Sequence, residues 1–450
     1  MIKAKGKMQI GAMPFAFKGE IMIYSKEIEV KYEVDVLVAG GGAAGVAAAA
    51  SAARSGKSVL ICESGGCFGG VGTSGLVPSF ANFTDNDDII VGGIGLEIRK
   101  NVSKEYPLST YWTPINVEEL KREYDRIVSE SGARILFFTT MCDAVTDGNG
   151  NVEYVVFTSK TGVFAVKAKM YIDCTGDGEL CAFAGADFEC GDENGNVMPP
   201  TLCSVWYGID TENFGGGGTG SASLEKAIKD GVFTNADRHL PGMFIKKGGI
   251  GGGNLGHIFG NNPLSNESLT EAMITGRKQM LEYDRYFREY VSGCKNLKLI
   301  STGNTLGVRE SRRIVCDYML NVNDFLNRAV FEDDIARYNY PVDIHVMNTS
   351  DEEYKRFREE YEKNMKYKHG ETYGIPYRSL VVKGFSNLLV AGRCIGTDRS
   401  MEATVRVMPC CFMTGQAAGT AAAMATEYAD TRKVCVKALR ERLIKDGALI

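Results

Sequence analysis

Between residues 34 and 62 the apolar positions change period. Val34, Val36 and Val38 alternate with their neighbours, Gly40, Gly41 and Gly42 interrupt them, and an alanine-rich stretch follows from Ala43 to Ala53. Period two predicts a short buried strand, the glycines a tight turn, and the alanines a helix starting near Ala43. A second apolar run, Ser58 to Cys62, predicts another strand, and it stops at a carboxylate, Glu63. Farther along, NVEELKREYDRIVSESGARILF reads as an amphipathic helix capped by Asn116 that leads into a strand, with a hairpin around DGNGN behind it. MYIDCTGDGELCAFAGA reads as a short strand and a turn. The middle of the chain has another texture. It holds the tract GGGGTGS, the segment KKGGIGGGNLGHIFGNNP, which predicts a flexible loop, a charged helix over about Leu269 to Val291, and SDEEYKRFREEYEKNMKYKHGE, which predicts a solvated helix. The last twenty residues predict a short polar helix packed on the outside.

The spacing in the first unit carries chemistry. Gly40, Gly42 and Gly45 fill the pattern GxGxxG. The first permits the turn, the second lets backbone N–H groups approach a pyrophosphate, and the third lets the helix pack closely on the strand. An anion at the start of that helix meets unpaired N–H groups and the positive end of the dipole. Glu63 stands 18 residues beyond Gly45, about where an acid accepts hydrogen bonds from a ribose. Strand, glycines, helix, strand and acid in that order predict dinucleotide binding. Gly251, Gly253 and Gly256 repeat the glycine spacing, but FIKKGG is a poor strand and Pro263 follows too soon for a helix, so the context excludes a second nucleotide site.

Composition narrows the partners. At 450 residues and 44% hydrophobic content the chain can bury a large core in two or three lobes. The balance of 51 basic and 56 acidic side chains, without a basic block, argues against nucleic acid. Thirteen cysteines are scattered apart from the adjacent Cys410 and Cys411, with no CxxC, so neither a zinc nor an iron–sulfur site is expected and reduced, cytoplasmic thiols are. Lysines break every apolar run in the first thirty residues, which therefore lack the core of a signal peptide, and no later run is long enough to span a bilayer.

Behind Glu63 the chain runs into GGCFGGVGTSGLVP, with Gly69-Gly70 close to the acid. This arrangement resembles flavoproteins of the glutathione reductase structural superfamily, which implies FAD in preference to NAD. MYIDCTGDGELCAFAGA resembles the ATG-type motif of these enzymes, NLLVAGRCIG their final FAD strand, and VRVMPCCFMTGQAAGTAAAMA the helix that caps the flavin. With GVRESRRI and YPVDIH, the chain is similar from about residue 30 to 425 to the family described as FAD-dependent oxidoreductases. The resemblance implies an α/β fold: a Rossmann-like FAD-binding domain of the glutathione reductase type over 30–185 and 380–430, an inserted α+β substrate or cap domain over 186–379, and a C-terminal helix over 431–450. It implies cofactor contacts from Gly40, Gly42, Ala43, Ala44, Gly45, Glu63, Ser64, Gly69 and Gly70. Thr175, Gly176, Asp177, Gly392, Arg393, Arg406, Met408, Gly415, Gln416 and Ala417 complete that set. VGTSGLVPSFANF lacks the histidine that covalently attaches the flavin in some relatives, so the FAD is expected to be non-covalent. Many relatives carry an aspartate where this chain has Arg393, and its role stays open.

The expected reaction is hydride transfer between flavin N5 and a small polar metabolite (a hydroxy acid, unsaturated acid or sugar derivative), with a separate electron carrier as a further partner. A non-redox enzyme of the thiazole synthase kind and a flavoprotein of RNA modification are the alternatives. Of only four histidines, His345 in YPVDIH and His257 in the glycine-rich segment are candidates to move the accompanying proton. Arg309 and Arg312, three apart on an expected helical face, would present guanidinium forks to a carboxylate, and Arg406 would offset charge on the reduced flavin. In GQAAG the small residues from Gly415 would let the start of a helix approach the flavin. Cys62 and Cys67 have the spacing of a redox pair but lie ahead of the double glycine, so a structural role is expected.

Overall fold

The computed structural model describes residues 22, 23, 25–240, 242–359 and 365–450. Most of the leader reading (residues 1–21) and the end of the charged run (360–364) lie outside the described residues.

The alternating segment forms β1 (Glu29–Ala39), buried over its last four residues, and the alanines form α1 (Ala43–Arg54). The next strand, β2 (Val59–Cys62), is wholly buried and runs parallel to β1, with Ala39 opposite Cys62. The Asn116 side chain caps α2 (Val117–Ser131), which leads into β3 (Arg134–Leu136). Then come β4 (Thr140–Thr146), β5 (Val152–Ser159) and β6 (Gly162–Asp173). The strand ending at Asp173 thus has 12 residues and is not short. Its length serves more than one neighbour: Gly162 to Val166 pair antiparallel with β5, and Phe164 to Asp173 run parallel with β1. The sheet order is β3-β2-β1-β6-β5-β4.

A second, antiparallel sheet contains β7 (Ser204–Tyr207), β8 (Gly242–Lys246), β9 (Ile250–Asn254) and, beyond α3 (Asn266–Tyr290), β10 (Lys298–Thr302). Its order is β8-β9-β7-β10, and it has its own core around Trp206, Tyr286 and Phe287. The first half of the glycine-rich segment expected to be a flexible loop, residues 246–254, is therefore the end of the first strand, the turn and the second strand of a β-hairpin, and only residues 255–263 are without regular structure. The hairpin's glycines sit where other chain comes close: a Cβ on Gly252 would lie only 2.4 Å from the Cβ of Pro78, and one on Gly253 would meet Ser204 and Trp206.

GVRESRRI is not helical. Arg312–Ile314 form a short strand antiparallel to Phe188–Cys190, and alternate side chains of this extended segment diverge. The charged run begins as a helix over Asp351–Phe357, capped by Ser350. The chain then returns to the first sheet as β11 (Leu388–Val390), parallel to the end of β6. It finishes with α4 (Arg399–Val405), α5 (Met408–Ala425) and α6 (Val436–Lys445). Leu439 and Leu443 of α6 are buried against the core. Among the described residues, no helix is long and apolar enough to cross a membrane.

Candidate functional site

The carboxyl ends of β1, β2 and β6 converge on one crevice, and the GxGxxG turn lies at its centre. Gly40 has φ +92, a left-handed conformation, and a Cβ there would press on the Cys174 carbonyl at 2.6 Å. A Cβ on Gly45 would collide with the Gly40 carbonyl, so this glycine lets α1 leave the strand at close range. Gly42 is different: a Cβ there meets nothing within 4 Å. The backbone at Gly42, immediately ahead of α1, therefore faces open space, with Gly70 of the turn after Gly69 across from it, while Ala43 and Ala44 are themselves buried. Glu63 Oε2 accepts from the Gly41 amide at 2.8 Å and Oε1 from the Gly65 amide at 2.7 Å and the Ser64 hydroxyl at 3.1 Å. The carboxylate both ties down the glycine turn and keeps lone pairs for a ribose.

On the opposite wall, Asp173 is buried and accepts from the Thr175 and Cys181 amides, which shapes the turn through Gly176 and Asp177. Arg393 crosses this turn. Its guanidinium donates to the Gly176 carbonyl at 2.8 Å, to Asp177 Oδ1 at 2.6 Å and to the Val308 carbonyl. A Cβ on Gly392 would come within 3.0 Å of Ala44. Met408, at the start of α5, packs on Gly72.

Next to the crevice, the loop from Gly303 to Val308 rests on the chain behind the double glycine: the Asn304 amide donates to the Ser74 carbonyl at 2.8 Å. This loop delivers Arg309, which is buried and donates to the Pro199 carbonyl at 2.6 Å and to Thr201 Oγ1 at 2.9 Å. Burial, and then the positive charge of Arg406, push its guanidinium down to about 10. Beyond it three histidines meet. His257 Nε2 lies 2.7 Å from His345 Nδ1, and the His239 ring lies edge-on to His345 with centroids 4.9 Å apart. His257 Nδ1 faces Asp237 Oδ2 at 2.9 Å, and His345 Nε2 faces Asp343 Oδ2 at 3.5 Å. Tyr354 donates to Asp237 at 2.9 Å, and Arg406 donates to Asp343 Oδ2 at 3.0 Å. Burial first, and then the charge of Arg309, lower His345, while burial and then His257 push His239 down to about 4, so these imidazoles are neutral near pH 7.

A model of the family described as FAD dependent oxidoreductase matches residues 35–443. The chain belongs to that family. Its cofactor is FAD. No curated protein matches the chain. Among solved structures, it is similar to a geranylgeranyl bacteriochlorophyll reductase-like protein from Thermoplasma acidophilum, at 14% identity and TM-score 0.46 over 92% of this chain and 84% of that one. A flavin-dependent brominase is similar at 13% identity and TM-score 0.45 over 92% and 84%. So is p-nitrophenol 4-monooxygenase from Pseudomonas putida, at 10% identity and TM-score 0.41 over 92% and 81%.

The crevice of this FAD dependent oxidoreductase fits that cofactor. The space before Gly42 and the helix start suits a pyrophosphate, and Glu63 suits the adenosine ribose. Other expected contacts fall elsewhere. Gly415, Gln416 and Ala417 lie two turns inside α5, where a Cβ on Gly415 would collide with the Ala44 carbonyl and Gln416 accepts from the Ile94 amide at 2.9 Å. They join two helices and do not border the crevice. Arg406 is bound to Asp343 beside the imidazoles. Arg312 points away from Arg309, donating to the Asp177 carbonyl and lying over the Phe188 ring. The structure brings together His257, His345 and Arg309, and adds His239, Asp237 and Asp343, which sequence reasoning did not single out. Asp343 stands two residues before His345 in the quoted YPVDIH, and this was the available signal. All thirteen cysteines are free thiols, and burial pushes that of Cys62 up.

Proposed function

We propose that the protein transfers a hydride between flavin N5 and a small polar, anionic metabolite such as a hydroxy acid, an unsaturated acid or an acidic sugar derivative. The FAD domain is read as the glutathione reductase type, over 30–185 and 380–430, with 186–379 as the cap under which substrate binds. Bound without a covalent link, FAD supplies a two-electron carrier that takes up or gives a hydride at N5. The observation that carries the substrate class is Arg406. Its Nε is buried without a hydrogen-bond partner, next to a second buried guanidinium, Arg309. A buried unpaired cationic donor is costly, and an anionic ligand satisfies it. The imidazole corner at His345 and Asp343 lies beside these guanidiniums and is where the proton accompanying the hydride is exchanged. Thirteen free thiols agree with a cytoplasmic enzyme.

The test is flavin reduction by a panel of hydroxy acids, followed in a stopped-flow instrument. Arg406→Gln should keep its FAD but need about 10- to 150-fold more substrate for half-maximal reduction, as expected for losing a hydrogen bond to a charged group. If neutral polyols reduce the flavin as well as acids do, or if the variant responds as wild type does, the anionic class is wrong. His345→Gln should slow the step by about 10²- to 10⁴-fold.

A further inference from the structure

The imidazole corner poses a question of hydrogen atoms. Asp237 faces His257 Nδ1 at 2.9 Å, and Asp343 faces His345 Nε2 at 3.5 Å. Each carboxylate favours the N–H on the nitrogen it faces. The nitrogens left over, His257 Nε2 and His345 Nδ1, are then both bare acceptors, yet they stand 2.7 Å apart. Two lone pairs at that distance repel unless something positive lies between them. The third imidazole, His239, brings its own nitrogen into the group: one ring nitrogen from each histidine lies within 4.8 Å of the other two. A single shared proton can bridge two acceptors but not three.

We propose that His239, His257 and His345 are the ligands of a divalent transition metal ion, with Asp237 and Asp343 as the carboxylates that orient two of them. Metal-bound imidazoles usually present their other ring nitrogen to a carboxylate or carbonyl, which fixes the tautomer and ring angle. Ligating nitrogens at about 2.0–2.1 Å from zinc, at tetrahedral angles, stand about 3.3 Å from one another. The cluster reaches that spacing if His257 and His345 part by a fraction of an ångström and His239 closes in. Nitrogen ligands suit zinc, ferrous iron, cobalt and nickel, and three protein ligands leave the open position found in catalytic sites.

The charges give the ion a role. Asp237 and Asp343 are already matched in number by Arg309 and Arg406, so a divalent ion adds positive charge that an anionic ligand offsets. This part rests on the proposed anionic substrate, whose hydroxyl or carboxylate oxygen would take the open position, the ion acting as a Lewis acid; with His345 Nδ1 on the ion and Nε2 on Asp343, the ion replaces a bare His345 nitrogen as the group that eases the hydroxyl proton off. The ligand residues are 239, 257 and 345, too widely spaced for any sequence motif to reveal.

The experiment measures metal and flavin separately. Purified protein is incubated with zinc chloride, desalted, and assayed for metal by mass spectrometry and for FAD by visible absorbance. Wild type should retain about one zinc per chain. His239→Gln, altered at the least buried of the three, should retain less than about a tenth of that while keeping its FAD. Wild type that keeps no zinc, or a His239→Gln variant that keeps as much as wild type, overturns the proposal. A His257→Gln variant checks the same point on the inner ligand. A yellow protein without zinc removes the metal site alone, whereas zinc-binding protein whose flavin no acid reduces removes the substrate reading alone.

Discussion

Two glycines of one turn have opposite requirements. A side chain at Gly45 would strike the Gly40 carbonyl, whereas one at Gly42 meets nothing within 4 Å. Gly45→Val should therefore lower thermal stability strongly, and Gly42→Val should leave the apoprotein's melting temperature near that of wild type while abolishing FAD binding. Thermal unfolding with and without added FAD distinguishes them; a Gly42→Val protein that is stabilised by FAD as wild type is would contradict the pyrophosphate assignment. Glu63 holds the Gly41 and Gly65 amides and is also the residue expected to accept from the ribose. Glu63→Ala should weaken FAD binding by at least the roughly 1.5–3 kcal/mol of a charged hydrogen bond, read as a rise in Kd on fluorescence titration.

At the scale of elements, the contact between α1 and α5 is a junction of small residues. Cβ atoms on Gly415 and Gly419 would collide with the carbonyls of Ala44 and Ala48, so the backbones lie in direct contact. This fixes the start of α5, with Met408 against Gly72, beside the crevice. Gly415→Val should cost about 1–3 kcal/mol or more by overpacking, visible as a lower urea midpoint. FAD affinity should fall with it, since α1 carries the phosphate-facing turn. An unchanged midpoint would show that the helices are not in contact there.

The whole molecule contains a buried ionic centre between its parts. Glu310 accepts from Arg399 and from Arg313, which also donates to Glu402 at 3.2 Å, and both glutamates are fully buried. Burial, and then the Glu310 carboxylate, raise Glu402 above the usual carboxylate range. The folded protein then holds a proton that the unfolded chain releases above about pH 4.3, so stability falls as pH rises from there through the raised value. Glu402→Gln removes that titration, and its melting temperature should vary less between pH 5 and 8 than that of wild type, by about one proton's worth of slope. An identical slope would mean that Glu402 is ionised throughout.

Local patterning was enough to determine the strand–glycine turn–helix–strand unit that shapes the crevice. The βαβ unit, its glycines and Glu63 occupy one continuous stretch, and each step depends on neighbouring residues: alternation makes the strand, glycine permits the turn, and alanine suits the helix. The Asn116 cap and the helix over Asn266–Tyr290 were legible for the same reason. GVRESRRI misled because the spacing of its charges suggests a helix with Arg309 and Arg312 on one face, whereas the segment is extended and Glu310 and Arg313 are buried as partners of Arg399 and Glu402, residues about ninety positions away. The glycine-rich hairpin misled because glycine there answers to the approach of Pro78 and Trp206 and not to flexibility. The imidazole corner belongs wholly to the tertiary structure: His257 and His345 are 88 residues apart, and no local period records that loops from different elements end at the same point.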